Sequence, residues 1–190
     1  MGTSRDVIQI LSSILDNGHQ VISVYTQPDR RAGRGRKLVS SAVKIFAKNS
    51  GLPVCQPVSL LRDPEAKRSL MYLEPDLIVV ASYGQILPAE IVNQPPLGCL
   101  NVHPSLLPKY RGASPVATAI LEGDSHTGVT LMKLDSGMDT GPVLAQRKTE
   151  IGSEETTDAL TTRLLSIGSE LLIDSLIPWA RGEITAKDQD

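Results

Sequence analysis

The chain has 190 residues and a formal net charge of -2, long enough to bury most of its apolar surface in one domain and too near neutrality for a global nucleic-acid-binding surface. Aromatic residues make up 3%, which argues against base-stacking platforms of the single-strand-binding kind. No stretch approaches a transmembrane helix, no signal peptide is visible, and Cys55 and Cys99 sit in apolar or strand contexts, so a reduced, soluble, cytoplasmic protein is expected.

The first pattern is helical, with Val7, Ile8, Leu11, Ile14 and Leu15 on one face and Asn17-Gly18 as its stop. His19 to Tyr25 then reads as a strand. A parallel α/β domain carries a strand ahead of its first helix; none is present, so the sheet is expected to lack its first strand, with Met1 at that strand's end. Gln27 to Lys37, QPDRRAGRGRK, is dense in Arg and Lys on a glycine-containing backbone. It reads either as a solvated loop or as a loop that follows phosphates.

Ser40 to Ser50 is amphipathic and stops at Gly51, Pro53 to Pro57 is a short strand, and Asp63 to Leu73 is a charged helix with Pro64 in its first turn. Asp76 to Ser82 is near-continuously apolar, as a strand buried on both faces should be, and Tyr83 to Pro88 leaves it.

In Gly98 to Gly112, GCLNVHPSLLPKYRG, an apolar strand breaks at Pro104, which cannot continue a central strand. Asn101 and His103 are two residues apart and therefore share a face, at the strand end where open α/β sheets bind ligands. They offer an oxyanion donor and a group that titrates near neutrality; a lone histidine there could equally be a core residue bonded to a carbonyl.

Ser114 is placed to cap a helix that has Pro115 at its first position and runs to Glu122. Strands are expected over Thr127 to Leu134 and Val143 to Gln146. Between them, in LMKLDSGMDTGPVL, Asp135 and Asp139 lie among glycines, where a carboxylate either closes an Asx-turn or orients an imidazole. Glu154 to Ala180 is a long helix with Leu160, Leu164, Ile167, Leu171 and Leu172 on one face; beyond Gly182 the chain is a polar tail. The alternation predicts an open, mostly parallel twisted sheet with helices on both faces. With three histidines and no Cys/His pairs at ligand spacing, no metal is expected.

Asn101-x-His103-x-Ser105-Leu106-Leu107-Pro108, followed by Asp139-Thr140-Gly141-Pro142, resembles the signature of the folate-dependent formyltransferases. The resemblance implies a Rossmann-like catalytic domain over residues 1–182, with a hydrophobic strand leading into the Gly2-Thr3 turn. Residues 183–190 would then be a tail or the start of a linker to a β-rich domain that this chain does not include. It implies Asn101, His103 and Asp139 as catalytic residues, and a folate site formed by Tyr83, Gly84, Gln85, Ile86 and Leu87 with Asp135 and Gly137. A substrate cleft would run along Gly2, Thr3, Ser105, Leu106, Leu107, Pro108 and Arg111.

The basic run, Thr26 to Leu38, resembles the loop with which methionyl-tRNA formyltransferases engage the acceptor arm of initiator tRNA, implying tRNA contacts from Arg30, Arg31, Arg34, Arg36 and Lys37. The implied reaction moves a formyl group from 10-formyltetrahydrofolate to the amine of methionyl-initiator tRNA, in a monomer. The same catalytic residues would serve an amino sugar nucleotide or water as acceptor, and an inactive fragment would keep them too. Ser4-Arg5-Asp6 stands where the family commonly has Pro-Glu-Phe, in the turn that borders the cleft.

Overall fold

The computed structural model describes residues 1–32 and 37–190, so Arg34 and Arg36 lie outside the described residues. Helix α1 (Val7–Asp16) buries Val7, Ile10 and Leu11. Strand β1 (Val24–Tyr25) is shorter than the expected His19 to Tyr25, because a partner meets only its last two residues. Within the basic run, β2 (Arg30–Ala32) pairs antiparallel with β3 (Lys37–Val39), Arg30 opposite Val39 and Ala32 opposite Lys37.

Helix α2 (Ala42–Asn49) is capped by the Ser41 hydroxyl, which accepts from the Lys44 amide at 3.1 Å. Strand β4 (Val54–Cys55) runs parallel to β1. Asp63 caps α3 (Pro64–Met71), accepting from the amides of Glu65 and Ala66, and Pro64 fills the position where a missing N–H costs nothing. Then follow β5 (Ile78–Val80), α4 (Ala89–Val92), β6 (Cys99–His103) and α5 (Pro115–Leu121). Ser114, expected to cap α5, makes no side-chain cap bond; its carbonyl accepts the Thr118 hydroxyl instead. Strands β7 (His126–Lys133) and β8 (Val143–Glu150) and helix α6 (Thr157–Ala180) complete the described elements.

The sheet is open. Its pairs β1–β4 and β5–β6 are parallel, and β7 and β8 form an antiparallel edge beside β6. Leu100 and Val102 of β6, with Val129 and Leu131 of β7, share a core with α1, α2 and α6. The alternate residues face the other way: Ile78, Val80 and Cys99 pack with Leu70 of α3 and Ile91 of α4. Helices therefore cover both faces. Among the described residues no helix is long and apolar enough to cross a membrane.

The sheet is interrupted between β1 and β5, where only Met1 and Gly2 lie. The Gly2 amide donates to the Tyr25 carbonyl at 3.0 Å, the Ala81 amide to the Met1 carbonyl at 3.0 Å, and the Met1 amine to the Val79 carbonyl at 2.5 Å. Gly2 pairs in parallel with Ala81, and a Cβ on it would sit 2.5 Å from Val7 Cγ1. Behind Met1 opens a cavity of about 740 Å³, walled by apolar groups of Leu11, Val21, Val24, Leu77, Val79 and Leu176.

Candidate active site

Strand β6 positions the first two groups. Asn101 pairs in register with Val80 on one side and Met132 on the other, and His103 lies opposite Thr130, so both strand neighbours fix their direction. While Leu100 and Val102 enter the core beneath α6, Asn101 and His103 project to the opposite face, as period-two alternation requires. His103 is 4% exposed.

Past Pro104 the chain turns through a cis Leu107–Pro108 peptide, and Thr130 of β7 carries the turn. Its hydroxyl donates to the Ser105 carbonyl at 2.6 Å and accepts from the Leu107 amide at 3.0 Å and from Gln146 Nε2 at 2.9 Å. Gln146 also donates to the Leu107 carbonyl at 2.8 Å. The turn delivers the Tyr110 carbonyl to His103 Nε2 at 3.0 Å. A carbonyl only accepts, so Nε2 carries the hydrogen and Nδ1 is the nitrogen left to exchange a proton.

Nδ1 faces Asp139. The carboxylate Oδ2 stands 3.6 Å from it, close enough for an ion pair and beyond a hydrogen bond. Oδ2 also accepts from the Gly112 amide at 2.9 Å, and Oδ1 accepts from Asn101 Nδ2 at 3.2 Å. One N–H of the Asn101 amide is committed to Asp139; the other is left to donate elsewhere. The three expected catalytic side chains are therefore brought together across 38 residues, with Asp139 between the other two.

The two acids of the loop divide the roles left open in the sequence. Asp135 closes an Asx-turn, accepting from the Gly137 amide and the Thr140 hydroxyl, both at 2.9 Å. Asp139, with φ of +53°, turns toward His103. A Cβ on Gly141 would collide with the Lys133 carbonyl, so only glycine lets the loop fold back onto β7. Asp135 lines a cavity of about 360 Å³ between this loop and α4, with Ala89 and Val92 opposite Lys133 and Pro142.

The expected folate segment lies elsewhere along the same end of the sheet. Tyr83 is buried, and its carbonyl accepts from Thr3 Oγ1 and Gln27 Nε2, both at 3.1 Å. Gly84 takes φ of +76° and its carbonyl accepts from Gln27 Nε2 at 2.9 Å. These contacts draw Thr3, Tyr83 and Gly84 into one group around Gln27, with Gly2 beside it paired to Ala81. The Gln85 side chain is engaged with the Leu60 amide and the Pro57 carbonyl, while Ile86 is 72% exposed. Leu87 packs among the α3 and α4 side chains. None of Tyr83 to Leu87 lines the 360 Å³ cavity.

Of the expected cleft residues, Ser105 and Leu107 are buried inside the turn, and Leu106 lies over Gly128. They support the site from below. Pro108 and Arg111 are exposed.

In the β2–β3 pair, Arg30, Arg31 and Lys37 are all exposed. Asp29 anchors its base, accepting from Gln56 Nε2 at 2.8 Å, Lys44 Nζ at 2.6 Å and Ser40 Oγ at 3.2 Å. These bonds, that of Gln56 foremost, hold the Asp29 carboxyl below its usual range. Among the described residues no group of three or more His, Cys, Asp or Glu is arranged to hold a metal ion.

Sequence reasoning missed Thr130, Gln146 and Gln189. Thr130, on the strand beside β6, and Gln146, one strand further out, could have been flagged as polar residues within predicted strands. Gln189 carries no local signal.

Asn101, His103 and Asp139 all fall within residues 1–176, which match the family described as formyl transferase. The chain belongs to that family. It is 48% identical over 189 residues to the methionyl-tRNA formyltransferase of Methylococcus capsulatus, covering 100% of this chain and 61% of that protein. The methionyl-tRNA formyltransferase of Roseiflexus sp. is 51% identical over 177 residues, 93% of this chain and 54% of the relative. The chain thus spans about three fifths of the length of the curated relatives it matches.

Among solved structures, phosphoribosylglycinamide formyltransferase from Bacillus halodurans aligns with a TM-score of 0.72 at 25% identity, covering 90% of this chain and 92% of that one. An N-formyltransferase from Helicobacter canadensis, solved with folinic acid and dTDP-3-aminofucose, shares the fold with a TM-score of 0.74 at 23% identity, over 100% of this chain and 65% of that one.

Replacing Thr130 with Val keeps the shape and removes the hydroxyl from three partners, stranding the Ser105 carbonyl and the Leu107 amide in the interior. The variant should lose about 2 to 3 kcal/mol of stability in urea unfolding. A loss below about 0.5 kcal/mol would show that the turn does not depend on it.

Proposed function

We propose that the chain catalyses transfer of a formyl group from 10-formyltetrahydrofolate to the amino group of methionyl-initiator tRNA. The observation that carries the reaction class is the convergence of Asn101, His103 and Asp139 at one strand end. The acceptor amine attacks the formyl carbon and negative charge develops on the formyl oxygen. The uncommitted N–H of Asn101 donates to that oxygen, a contact whose removal elsewhere costs about 10²- to 10³-fold in rate. The amine, acidified by attack, gives up a proton; Nδ1 of His103, beside Asp139, receives it. The C–N bond to the folate then breaks, with the departing nitrogen taking a proton.

Both side chains are largely withdrawn from water, with exposures of 5% for His103 and 15% for Asp139, which strengthens the interaction once His103 holds the proton. The cavity beside Asp135 is the candidate seat for part of the folate. Two features support the acceptor. The β2–β3 pair presents Arg30, Arg31 and Lys37 to solvent on a base fastened by Asp29, a compact local basic surface on a chain with no overall positive charge. The relatives at 44–51% identity are methionyl-tRNA formyltransferases.

Formylation assays on purified variants test the site. His103→Ala and Asp139→Asn should each lower kcat by about 10²- to 10⁴-fold with the melting temperature little changed; retained turnover in either would remove that residue from the mechanism. Changing Arg30, Arg31 and Lys37 together to Ala should raise KM for methionyl-tRNA, flatten its salt dependence, and leave formyl-folate KM unchanged. If formyl-folate is consumed equally well without tRNA, the acceptor is a different amine or water.

A further inference from the structure

The tail beyond α6 does not simply leave the molecule. Lys187 pairs antiparallel with Val143 at the start of β8: the Val143 amide donates to the Lys187 carbonyl at 2.7 Å, and the Lys187 amide returns a bond at 2.8 Å. This pairing sets down Gln189, half-buried, between the two loops that surround His103. Its Nε2 donates to the Asp139 carbonyl at 2.9 Å and to the Gly141 carbonyl at 2.7 Å. Its Oε1 accepts from Arg111 Nε at 3.0 Å and Nη2 at 2.7 Å. One amide thus uses both donors and its acceptor to join residues 139–141 to residue 111.

Both joined segments are conformationally demanding. Asp139 is a non-glycine residue at φ of +53°, and Arg111 is flanked by Tyr110 at +59° and Gly112 at +95°. A left-handed non-glycine backbone is strained and persists only where its surroundings impose it. Among the described residues, the same segments supply the polar contacts that the side chains of His103 and Asp139 make outside β6. Tyr110 provides the carbonyl for His103 Nε2, Gly112 the amide for Asp139 Oδ2, and Asp139 the carboxylate facing Nδ1. Asp139 is tied at its carboxylate by Asn101 and Gly112; at its own carbonyl it is tied by Gln189.

We propose that Gln189 is a positioning residue for formyl transfer, clamping the Asp139 turn to the Arg111 loop so that the Asp139 carboxylate keeps its place against His103. Gln189 lies outside the residues that match the family, 1–176. The proposal rests on the catalytic reading above only for its effect on rate; the clamp itself is readable without substrate.

Two variants separate its arms. Gln189→Ala removes all four bonds. Gln189→Glu keeps an acceptor for Arg111 and loses both donors to the carbonyls. Three measurements are made on each: steady-state formylation kinetics, the melting temperature, and hydrogen exchange of the Gly112 amide, which is bonded to Asp139 Oδ2. Both variants should lower kcat by roughly tenfold or more with KM for formyl-folate within about twofold, since misplacing a catalytic group acts on the chemical step. Gly112 exchange should rise by about tenfold while the melting temperature stays put.

Unchanged kcat and unchanged Gly112 exchange in Gln189→Ala would overturn the proposal. Full activity in Gln189→Glu would overturn the carbonyl clamp, because only the Arg111 link would then count. A rise in KM without a fall in kcat would also overturn it, by assigning the effect to substrate binding. If the unsubstituted chain transfers no formyl group yet Gly112 exchange still rises in both variants, the catalytic reading fails and the clamp stands.

Discussion

The Asp139 carboxylate is shared among three groups that reach it from different parts of the chain. Asn101 comes from a strand, Gly112 from the loop after it, and His103 stands 3.6 Å away on the same strand as Asn101. A carboxylate placed so far from water has to be paired or hydrogen-bonded, and each oxygen here has a donor. The geometry requires the left-handed backbone of Asp139, since an ordinary extended residue would direct the side chain away from the strand end. The loop around it is held in turn by the close approach at Gly141 and the Asx-turn at Asp135. The site is strained locally and braced on several sides, a combination that suits groups which must stay put while charge develops.

The brace extends into the sheet. Thr130 and Gln146, on neighbouring antiparallel strands, secure the turn that carries Tyr110 and Gly112. The antiparallel edge formed by β7 and β8 thus matters to the site through its polar side chains. A parallel strand in the place of β7 would run the other way and present a different residue opposite His103. Lys109 and Tyr110 are further pinned by Asp124, whose carboxylate accepts from both at 2.8 Å, an exposed cluster that contributes less than the buried hub.

On the other side of the site the sheet is divided, and polar cross-links do the work of a ladder. Met1 and Gly2 bond to β1 and β5 at one level, and Gln27 bridges from the β1 side to the carbonyls of Tyr83 and Gly84. Gln56 then ties Gln27 to the neighbouring parallel strand at 2.8 Å. The common core of α1, α2 and α6 spans both parts and supplies the remaining cohesion. The apolar cavity of about 740 Å³ behind Met1 is not lined by Asn101, His103 or Asp139.

Much of this was legible in the amino-acid order because it depends on local rules. Period-three-and-four apolar spacing marked α1 and α6, Asp63-Pro64 marked the start of α3, and period-two alternation put Asn101 and His103 on one face of a strand. Strand lengths were not legible, since His19 to Tyr25 is β-compatible throughout but pairs only where β4 meets it. Local pattern alone did not decide which of Asp135 and Asp139 closes a turn and which faces the imidazole, because that depends on a backbone dihedral and on what lies across the cleft; only the resemblance to the formyltransferases singled out Asp139. The sequence by itself placed Asn101 and His103 on one face at a strand end, through alternation and the break at Pro104. Only the tertiary structure decided their spacing and their supports, Thr130 and Gln189 above all, because those contacts join residues 23 to 78 positions apart and leave no local pattern.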